Sequence, residues 1–349
     1  MSTGLSIAGV LARTPVGLTA ASSAAAVRAG IRRASEWGFI DQNGDPMTVV
    51  PDAKLDPKLE GFDRVQELGR SLIADVAAQL KEWKSLAGTP LDIHWVFPST
   101  RAGMPSSYAI PLAADWGSRL QDMLRGIKTR NVRRSSGHAG VAEALHAIDP
   151  NDDAITLVLA ADSYLHADTL AALEQQRMFG AAARSGFTPG EAAAALIVVP
   201  DRLRNAAQIP CVAGIDGVGL EREGLLPDSD TGSFGVGLTE ALRSAMAGRS
   251  LPAEAVADVY LDINGQRYRS EEWGFVALRF PSAFVSLDYH APAGCWGDVG
   301  AATGALAIGL AAAGWARGYA RGDRAAILNG SDDGLRGAVV LRRPGGRAR

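Results

Sequence analysis

The stretch Ser185-Gly186-Phe187-Thr188-Pro189-Gly190-Glu191-Ala192-Ala193-Ala194-Ala195-Leu196-Ile197-Val198-Val199 decides the fold of this chain. We interpret the segment around Pro189-Gly190-Glu191 as a hairpin. Glu191 is expected to serve this hairpin by accepting hydrogen bonds from backbone amides or from an arginine. The other motifs of the chain are individually weaker, and they gain weight from their order.

Strand and helix patterns alternate on both sides of this stretch. An amphipathic helix is predicted where apolar residues recur every three or four positions, at Val65, Leu68, Leu72, Val76 and Leu80. A further helix is predicted over residues 136–148. The run Ile155-Thr156-Leu157-Val158-Leu159-Ala160-Ala161 is apolar on both faces, which predicts a strand covered by helices on both sides.

The second half of the chain repeats the plan. Strands are predicted at residues 211–218, 259–263, 284–287, 325–329 and 337–341, and helices at residues 234–247 and 299–316. This alternation predicts two packed α/β units with mainly parallel sheets. We place the units at residues 1–205 and 206–349, with the junction in segment 200–210.

Bulk composition excludes several classes of protein. The 349 residues are 47% hydrophobic and 21% charged, which suits a globular protein, and a net charge of -3 gives no field that would attract nucleic acid. Cys211 and Cys295 have no metal-ligand spacing and predict neither a disulfide framework nor a zinc site. The longest apolar run, residues 299–315, contains four glycines and predicts a buried helix rather than a membrane span. Residues 1–7 carry no export signal, so a cytoplasmic location is expected.

From end to end, the chain resembles the β-ketoacyl synthase branch of the thiolase superfamily. The opening stretch is similar to the family's "dGF.PGEgAgalvl" segment. Other family words have counterparts, in the family's order, at Thr14-Pro15-Val16-Gly17, Phe62-Asp63-Arg64, Ser135-Ser136-Gly137 and Ala160-Ala161-Asp162-Ser163. The resemblance implies a thiolase fold, in which two duplicated α/β halves form a layered αβαβα architecture.

The resemblance also implies a catalytic cysteine and two histidines, and this chain carries other residues at those places. Matching Ser135-Ser136-Gly137 to the family's nucleophile word puts Arg134 at the cysteine, at the start of the predicted helix; a slip of one residue puts Ser135 there. Asn264 replaces the first histidine and Gly297 the second. The family's "GFGG" turn corresponds to Asn329-Gly330-Ser331-Asp332-Asp333-Gly334. We expect Arg134, Asn264 and Gly297 to converge within about 10 Å as remnants of one site.

Alternative nucleophiles and bases are weighed against simpler interpretations. Ser136 and His138 lie two residues apart on the predicted helix and do not face each other, which favours a histidine that is either at the surface or satisfied in the core. Cys295 lies near the lost second histidine and is a candidate displaced nucleophile, although a free cysteine more often behaves as a small buried residue. The acidic pairs Glu271-Glu272 and Asp332-Asp333 are interpreted as solvated loop charges.

The leading hypothesis is therefore a catalytically degenerate β-ketoacyl synthase-like protein that acts by binding. It is expected to form a homodimer, or a heterodimer with a related subunit, near the strand at residues 155–161; an acyl carrier protein is a possible further partner. The alternative is an acyltransferase or 3-oxoacyl synthase that uses Ser135 or Cys295. No cofactor, metal, nucleic acid or membrane is expected.

Overall fold

The computed structural model describes residues 3–86, 88–179, 185–226, 229 and 232–345. Its strands are β1 (Leu5–Arg13), β2 (Ser35–Ile40), β3 (Pro46–Val49), β4 (Leu91–Phe97), β5 (Thr129–Ser136), β6 (Ile155–Ser163), β7 (Glu191–Pro200), β8 (Ala213–Arg222), β9 (Asp258–Leu261), β10 (Arg324–Gly330) and β11 (Leu335–Arg342). Its α-helices are α1 (Ala20–Arg28), α2 (Gly61–Glu82), α3 (Ala109–Met123), α4 (Gly140–His146), α5 (Ala167–Gln175), α6 (Asp201–Ala207), α7 (Val236–Ala245), α8 (Arg267–Arg279), α9 (Ala293–Trp296) and α10 (Thr303–Ala316).

The main sheet repeats one strand pattern. Its order is β5-β4-β6-β7-β1-β8-β11-β10-β9, and β1 joins β8 through only Leu5, Ser6 and Ile7. Outward from that junction, β1-β7-β6-β4 and β8-β11-β10-β9 show the same directions: two antiparallel pairings and then a parallel one. The two halves are therefore duplicates, as predicted.

The expectation of mainly parallel sheets is wrong. Five of the eight pairings in the main sheet are antiparallel. Strand β7 lies antiparallel to both of its neighbours, and β10 and β11 form a hairpin. An alternation of strands and helices along the chain does not fix the strand directions. Here α5 lies between β6 and β7 in the chain, and these two neighbouring strands of the sheet are antiparallel. The predicted hairpin at Pro189-Gly190 is likewise the entry to β7, whose antiparallel partner β6 is reached through α5.

Apolar contacts define five layers. The first outer layer, α2 and α3, packs on one face of the N-terminal strands through Leu68, Trp116, Trp95, Leu157 and Ile197. The central layer, α4 and α10, lies between the two halves of the sheet through Val141, Ile308, Val158, Leu196, Ile215 and Val339. The other outer layer, α7 and α8, packs through Leu242, Val276, Leu328 and Val340. This is the predicted αβαβα arrangement, and the apolar run at residues 299–315 forms the buried helix α10.

Several predicted boundaries differ from the structure. The helix predicted over residues 136–148 is the shorter α4, because the preceding residues belong to the edge strand β5. The strand predicted at residues 284–287 is an extended segment beside β9, with isolated parallel bridges at Phe284 and His290. The proposed domain boundary between residues 205 and 206 falls within α6, and it stays a prediction. None of the described helices is long and apolar enough to cross a bilayer.

The strand at residues 155–161 is not a sheet edge. It belongs to β6, which has β4 on one side and β7 on the other, and all nine residues of β6 are buried. A second molecule cannot pair with β6 itself, and a dimer contact near this strand stays a prediction. Among the described strands, the outermost one of the N-terminal half is β5.

Two glycines let α7 lie directly on β8. A Cβ atom at Gly217 would lie 1.9 Å from the backbone oxygen of Ala245, and one at Gly219 would lie 1.9 Å from that of Ala241. Side chains two residues apart on a strand point to the same face. The scattered glycines of residues 214–219 therefore serve helix packing.

We expect Gly217→Ala to lower the free energy of unfolding by about 1–3 kcal/mol, because the added methyl group has no space. Urea denaturation monitored by circular dichroism measures the change. The matched control is Gly117→Ala in α3, where an added Cβ meets nothing within 4 Å. That control should be neutral or stabilising by up to about 1 kcal/mol, because alanine is the better helix former. Equal effects of the two substitutions would contradict the close approach of α7.

Candidate functional site

Glu191 connects two of the sequence motifs that carry the resemblance, the opening stretch at residues 185–199 and Phe62-Asp63-Arg64. Its carboxylate is fully buried and accepts hydrogen bonds from Arg64 Nη2 at 2.5 Å and Arg64 Nε at 2.7 Å. It also accepts from the Asp52 backbone amide at 2.7 Å and from the Ser163 hydroxyl at 2.8 Å. The prediction that Glu191 accepts backbone and arginine hydrogen bonds is confirmed. The ion pair fixes the start of β7 against α2.

The turn before Glu191 holds the loop that contains Gly297. The Gly190 amide donates to the Asp298 carbonyl at 2.8 Å, and the Asp298 amide donates to the Thr188 carbonyl at 2.8 Å. Gly297 has a φ of +75°, and a Cβ atom there would lie 2.8 Å from the Thr188 oxygen. Both the positive φ and the lack of space require glycine. The loop therefore presents the next residue, Asp298, to the interior.

Asp298 is the centre of a buried polar cluster. Its Oδ1 accepts from His138 Nε2 at 2.8 Å and from the Gly300 amide at 2.8 Å. Its Oδ2 accepts from Asn264 Nδ2 at 2.5 Å. His138 lies in the turn from β5 into α4, directly after Gly137, whose φ is +74°. The cluster thus brings together the N-terminal half, through His138, and two loops of the C-terminal half.

Charge pairing sets the protonation of this cluster. Burial alone lowers the pKa of His138, but the Asp298 carboxylate outweighs burial and raises that pKa above its usual value. Burial raises the pKa of Asp298, and the opposing effects of His138 and Arg269 bring it well below its usual range. The pairing therefore favours the imidazolium form of His138 beside the Asp298 carboxylate. A protonated imidazole has no free lone pair and cannot act as a nucleophile or a base.

Little space is left beside the cluster. The cavity that His138, Asn264, Gly297 and Asp298 help to line measures about 10 Å³. That volume holds no more than about one water molecule. No acyl chain fits in this cavity.

Arg134 does not join this cluster. It lies on β5 with an exposed side chain, and that side chain has neither a hydrogen bond nor an ion pair to any described residue. It lines a different cavity, of about 220 Å³, beside Phe97 and Leu112. The predictions that Arg134 begins a buried helix and meets Asn264 and Gly297 are wrong, because the strand continues to Ser136 and the chain turns only at Gly137. Asn264 and Gly297 do lie together.

Ser135 uses its hydroxyl to hold β5 against α4. Ser135 Oγ donates to the Gly140 carbonyl at 2.8 Å and lies 3.1 Å from His94 Nε2. A hydroxyl has one proton, so it must accept from His94, and the imidazole is then the donor rather than the base. Burial, with a smaller contribution from Arg133, lowers the pKa of His94 to about 4, which leaves the ring neutral at pH 7. This geometry does not activate the serine.

Cys295 also lacks the features of a nucleophile. It is a free, half-buried thiol in the four-residue helix α9, and it does not line the cavity beside Asp298. Burial raises the pKa of its thiol, against a smaller opposing effect of Arg32. A raised pKa keeps the sulfur protonated at neutral pH, whereas the thiolate is the reactive form.

The turn between β10 and β11, predicted to correspond to the family's "GFGG" turn, supports the entry to α4. Ser331 Oγ accepts a hydrogen bond from the Ala139 amide at 3.0 Å. The Gly330 amide donates to Asp262 Oδ2 at 2.7 Å, and Arg269 Nη1 donates to the Gly330 carbonyl at 2.7 Å. The charged side chains of Asp262 and Arg269 therefore fix the turn, and the Ser331 hydroxyl accepts the hydrogen bond of the Ala139 amide, next to His138.

Sequence reasoning missed Asp298 and only half described His138. Of the two interpretations left open for His138, surface or core, the structure shows the core one, but its partner was not identified. A usable signal existed: if the family's "GH" pair is matched to Gly297-Asp298, Asp298 takes the position of the second histidine. The alignment shifted by one residue was chosen instead, because it matches Gly300-Ala301-Ala302 to the family motif that follows the histidine and so places Gly297 at the histidine position.

No family model and no curated protein sequence matches the chain. Solved structures do match it. A ketosynthase from module 6 of the bacillaene synthase of Bacillus subtilis 168 superposes with a TM-score of 0.75 at 13% identity, covering 99% of this chain and 73% of that one. The ishigamide ketosynthase/chain length factor gives 0.75 at 15% identity, covering 98% and 99%. A type II PKS acyl-carrier protein complex with its ketosynthase gives 0.75 at 12% identity, covering 97% and 98%.

These likenesses define the fold. The chain has the thiolase-like fold of the ketosynthases, with both duplicated halves present. The similarity in sequence is too low to carry an activity from those proteins to this one.

Proposed function

We propose that this chain is a catalytically degenerate β-ketoacyl synthase-like protein that acts by binding, as a partner subunit, scaffold or accessory factor. The closed cluster of His138, Asp298 and Asn264 carries the proposal. Its polar groups bond to one another and leave about 10 Å³ beside them. Condensation needs a nucleophile that a substrate can reach, and this cluster offers none.

The alternative, an acyltransferase that uses Ser135 or Cys295, is less well supported. The Ser135 proton is directed to a carbonyl, and the Cys295 thiol has a raised pKa. Both observations argue against a nucleophile that is active at neutral pH.

The solved structures that are similar to this chain suggest its binding partners. One neighbour is a ketosynthase/chain length factor, and another is an acyl-carrier protein in complex with its ketosynthase. By analogy, we propose a second copy, a related subunit or an acyl carrier protein as the partner. A cytosolic location is part of the proposal, since both cysteines are free thiols.

We expect the purified protein to form no covalent acyl adduct with acyl-CoA or acyl carrier protein thioesters, and to release no carbon dioxide from malonyl thioesters. Intact-mass spectrometry and a decarboxylation assay measure the two outcomes, with an active ketosynthase as the positive control. A stoichiometric adduct would contradict the proposal. The Ser135→Ala and Cys295→Ala variants would then show which side chain carries the acyl group.

A further inference from the structure

The last turn of α8 carries an uncovered apolar surface. Leu278 is 78% exposed, more than any other large apolar side chain in the part of the chain that the structure describes. Phe275 lies three residues earlier on the same side of the helix, and its ring contacts the exposed ring of Phe234 edge-to-face, with 5.5 Å between the centroids. Val236, at the start of α7, is also exposed. We call these four side chains the α8 patch; exposed apolar patches of this kind mark interaction sites.

The solvent face of α8 leaves room for a second helix. Ser270, Gly274 and Leu278 are spaced by four residues, so they follow one line along the helix, and all three are exposed. A Cβ atom at Gly274 would meet nothing within 4 Å, so the fold of the single chain does not require glycine there. Glycine is also a poor helix former. The position is a shallow groove that a large side chain of another molecule can enter.

Two charged residues at the border of the patch each have capacity for a further partner. The Arg279 guanidinium lies over the Phe275 ring and donates to the Phe234 carbonyl, and it pairs with no carboxylate among the described residues. Glu271 pairs with Arg267 through Oε1 at 2.5 Å, and no described residue donates a hydrogen bond to its Oε2. A cation and an anion of the same helix are therefore both available to another molecule.

The α8 patch is complementary to itself. We consider two α8 helices packed antiparallel about a two-fold axis at Gly274. Leu278 of each copy then lies over Ser270 and Gly274 of the other, because Ser270 and Leu278 are equally far from the axis. Glu271 of one copy and Arg279 of the other are offset by only about 3 Å along the helix direction, since each residue rises about 1.5 Å. Opposite charges therefore meet on both sides of the apolar centre.

We infer that the chain binds a second copy of itself through the α8 patch, with the two α8 helices antiparallel and Glu271 of each copy paired with Arg279 of the other. This inference rests on the proposed binding function and names its partner. It places the contact on the outer helical layer of the C-terminal half rather than near β6. A two-fold dimer uses the same surface of both subunits, as this pairing does. An apolar centre with a charged rim is the usual anatomy of an interface.

The first test changes the centre of the patch. Leu278→Glu should raise the dissociation constant of the homodimer at least about tenfold, as measured by sedimentation equilibrium, because the centre of an interface carries most of its binding energy. The matched control is Ile110→Glu, which puts the same charge at an exposed side chain of α3 and should leave the constant unchanged. Gly274→Gln should weaken the dimer while raising the thermal midpoint of the monomer, because glutamine is the better helix former. A loss of folding cannot produce that combination.

The second test exchanges the charges. Glu271→Arg alone brings arginines together across the axis, and Arg279→Glu alone brings glutamates together, so each variant should dimerise poorly. Mixed with each other, the two variants have opposite charges at both contacts. The mixed dimer should therefore form at least about tenfold more tightly than either variant's homodimer. Native mass spectrometry separates the three dimers by mass, and circular dichroism confirms that each variant is folded.

Three results would overturn the inference. They are a wild-type protein that stays monomeric throughout the micromolar range, a dimer that Leu278→Glu leaves unchanged, and an equimolar mixture of the two charge variants that shows no gain. A dimer that resists Leu278→Glu would have its contact elsewhere on the fold. An acyl adduct would overturn the proposed function separately, because that assay does not depend on α8.

Discussion

Glu191→Ala is expected to lower the free energy of unfolding by about 3–5 kcal/mol, because it leaves the Arg64 guanidinium buried without its counter-ion. Both side chains of this pair are fully buried. The substitution also removes the acceptor for the Asp52 amide and the Ser163 hydroxyl. Urea denaturation at pH 7, monitored by circular dichroism and by tryptophan fluorescence, measures the loss.

A double variant separates the buried charge from the packing. Arg64→Met combined with Glu191→Ala removes both charges, and the loss should be smaller than for Glu191→Ala alone. The surface control Glu240→Ala, at a side chain that is 53% exposed, should change stability by less than about 0.5 kcal/mol. A Glu191→Ala protein as stable as this control would show that the ion pair is not the anchor of β7.

Asp298→Ala is expected to lower the free energy of unfolding by about 3 kcal/mol near pH 6, because it removes the acceptor of three buried or half-buried donors. Those donors are His138 Nε2, the Gly300 amide and Asn264 Nδ2. The matched control is Asp288→Ala, since the Asp288 side chain is 71% exposed and, among the described residues, pairs only with the half-exposed Arg321. We expect the control to change stability by about 0–1 kcal/mol.

The effect of Asp298→Ala should depend on pH in a defined way. The pKa of His138 is raised on folding, so its contribution is full below the usual histidine pKa and is lost as pH rises through the folded value. The pKa of Asp298 is lowered, so its contribution is full above the usual aspartate pKa and is lost as pH falls through the folded value. The difference between wild type and variant should therefore be largest at about pH 4–6.5. A difference that grows steadily from pH 6 to pH 9 would contradict the charged pair.

Much of the fold followed from local patterns. The spacing of apolar residues in α2 and the unbroken apolar run of β6 identify a half-buried helix and a strand buried on both faces, because each pattern depends only on near neighbours in the chain. Strand β5 and helix α3 were not predicted. The polar sequence Thr129-Arg130-Asn131-Val132-Arg133-Arg134 has little apolar alternation, since an edge strand has one open side and few buried positions.

Charged residues were the hardest to place. Glu272 was interpreted as a solvated loop charge, yet it is buried in α8 and pairs with Arg336 at 2.7 Å for both carboxylate oxygens. That prediction is wrong because the partner lies 64 positions further along the chain. Its neighbour Glu271 is half-buried and pairs with Arg267 at the surface of α8.

The sequence by itself determined that strands and helices alternate in both halves and that Glu191 accepts buried hydrogen bonds, and the family resemblance implied the layered αβαβα architecture. The first two depend on residue type and short-range order. Only the tertiary structure decided that His138 and Asp298, 160 positions apart, form one closed ion pair, and that Arg134 lies on an open edge. Contacts between distant segments depend on how the two halves pack, and a shift of one residue in a strand or turn moves a side chain to the opposite face.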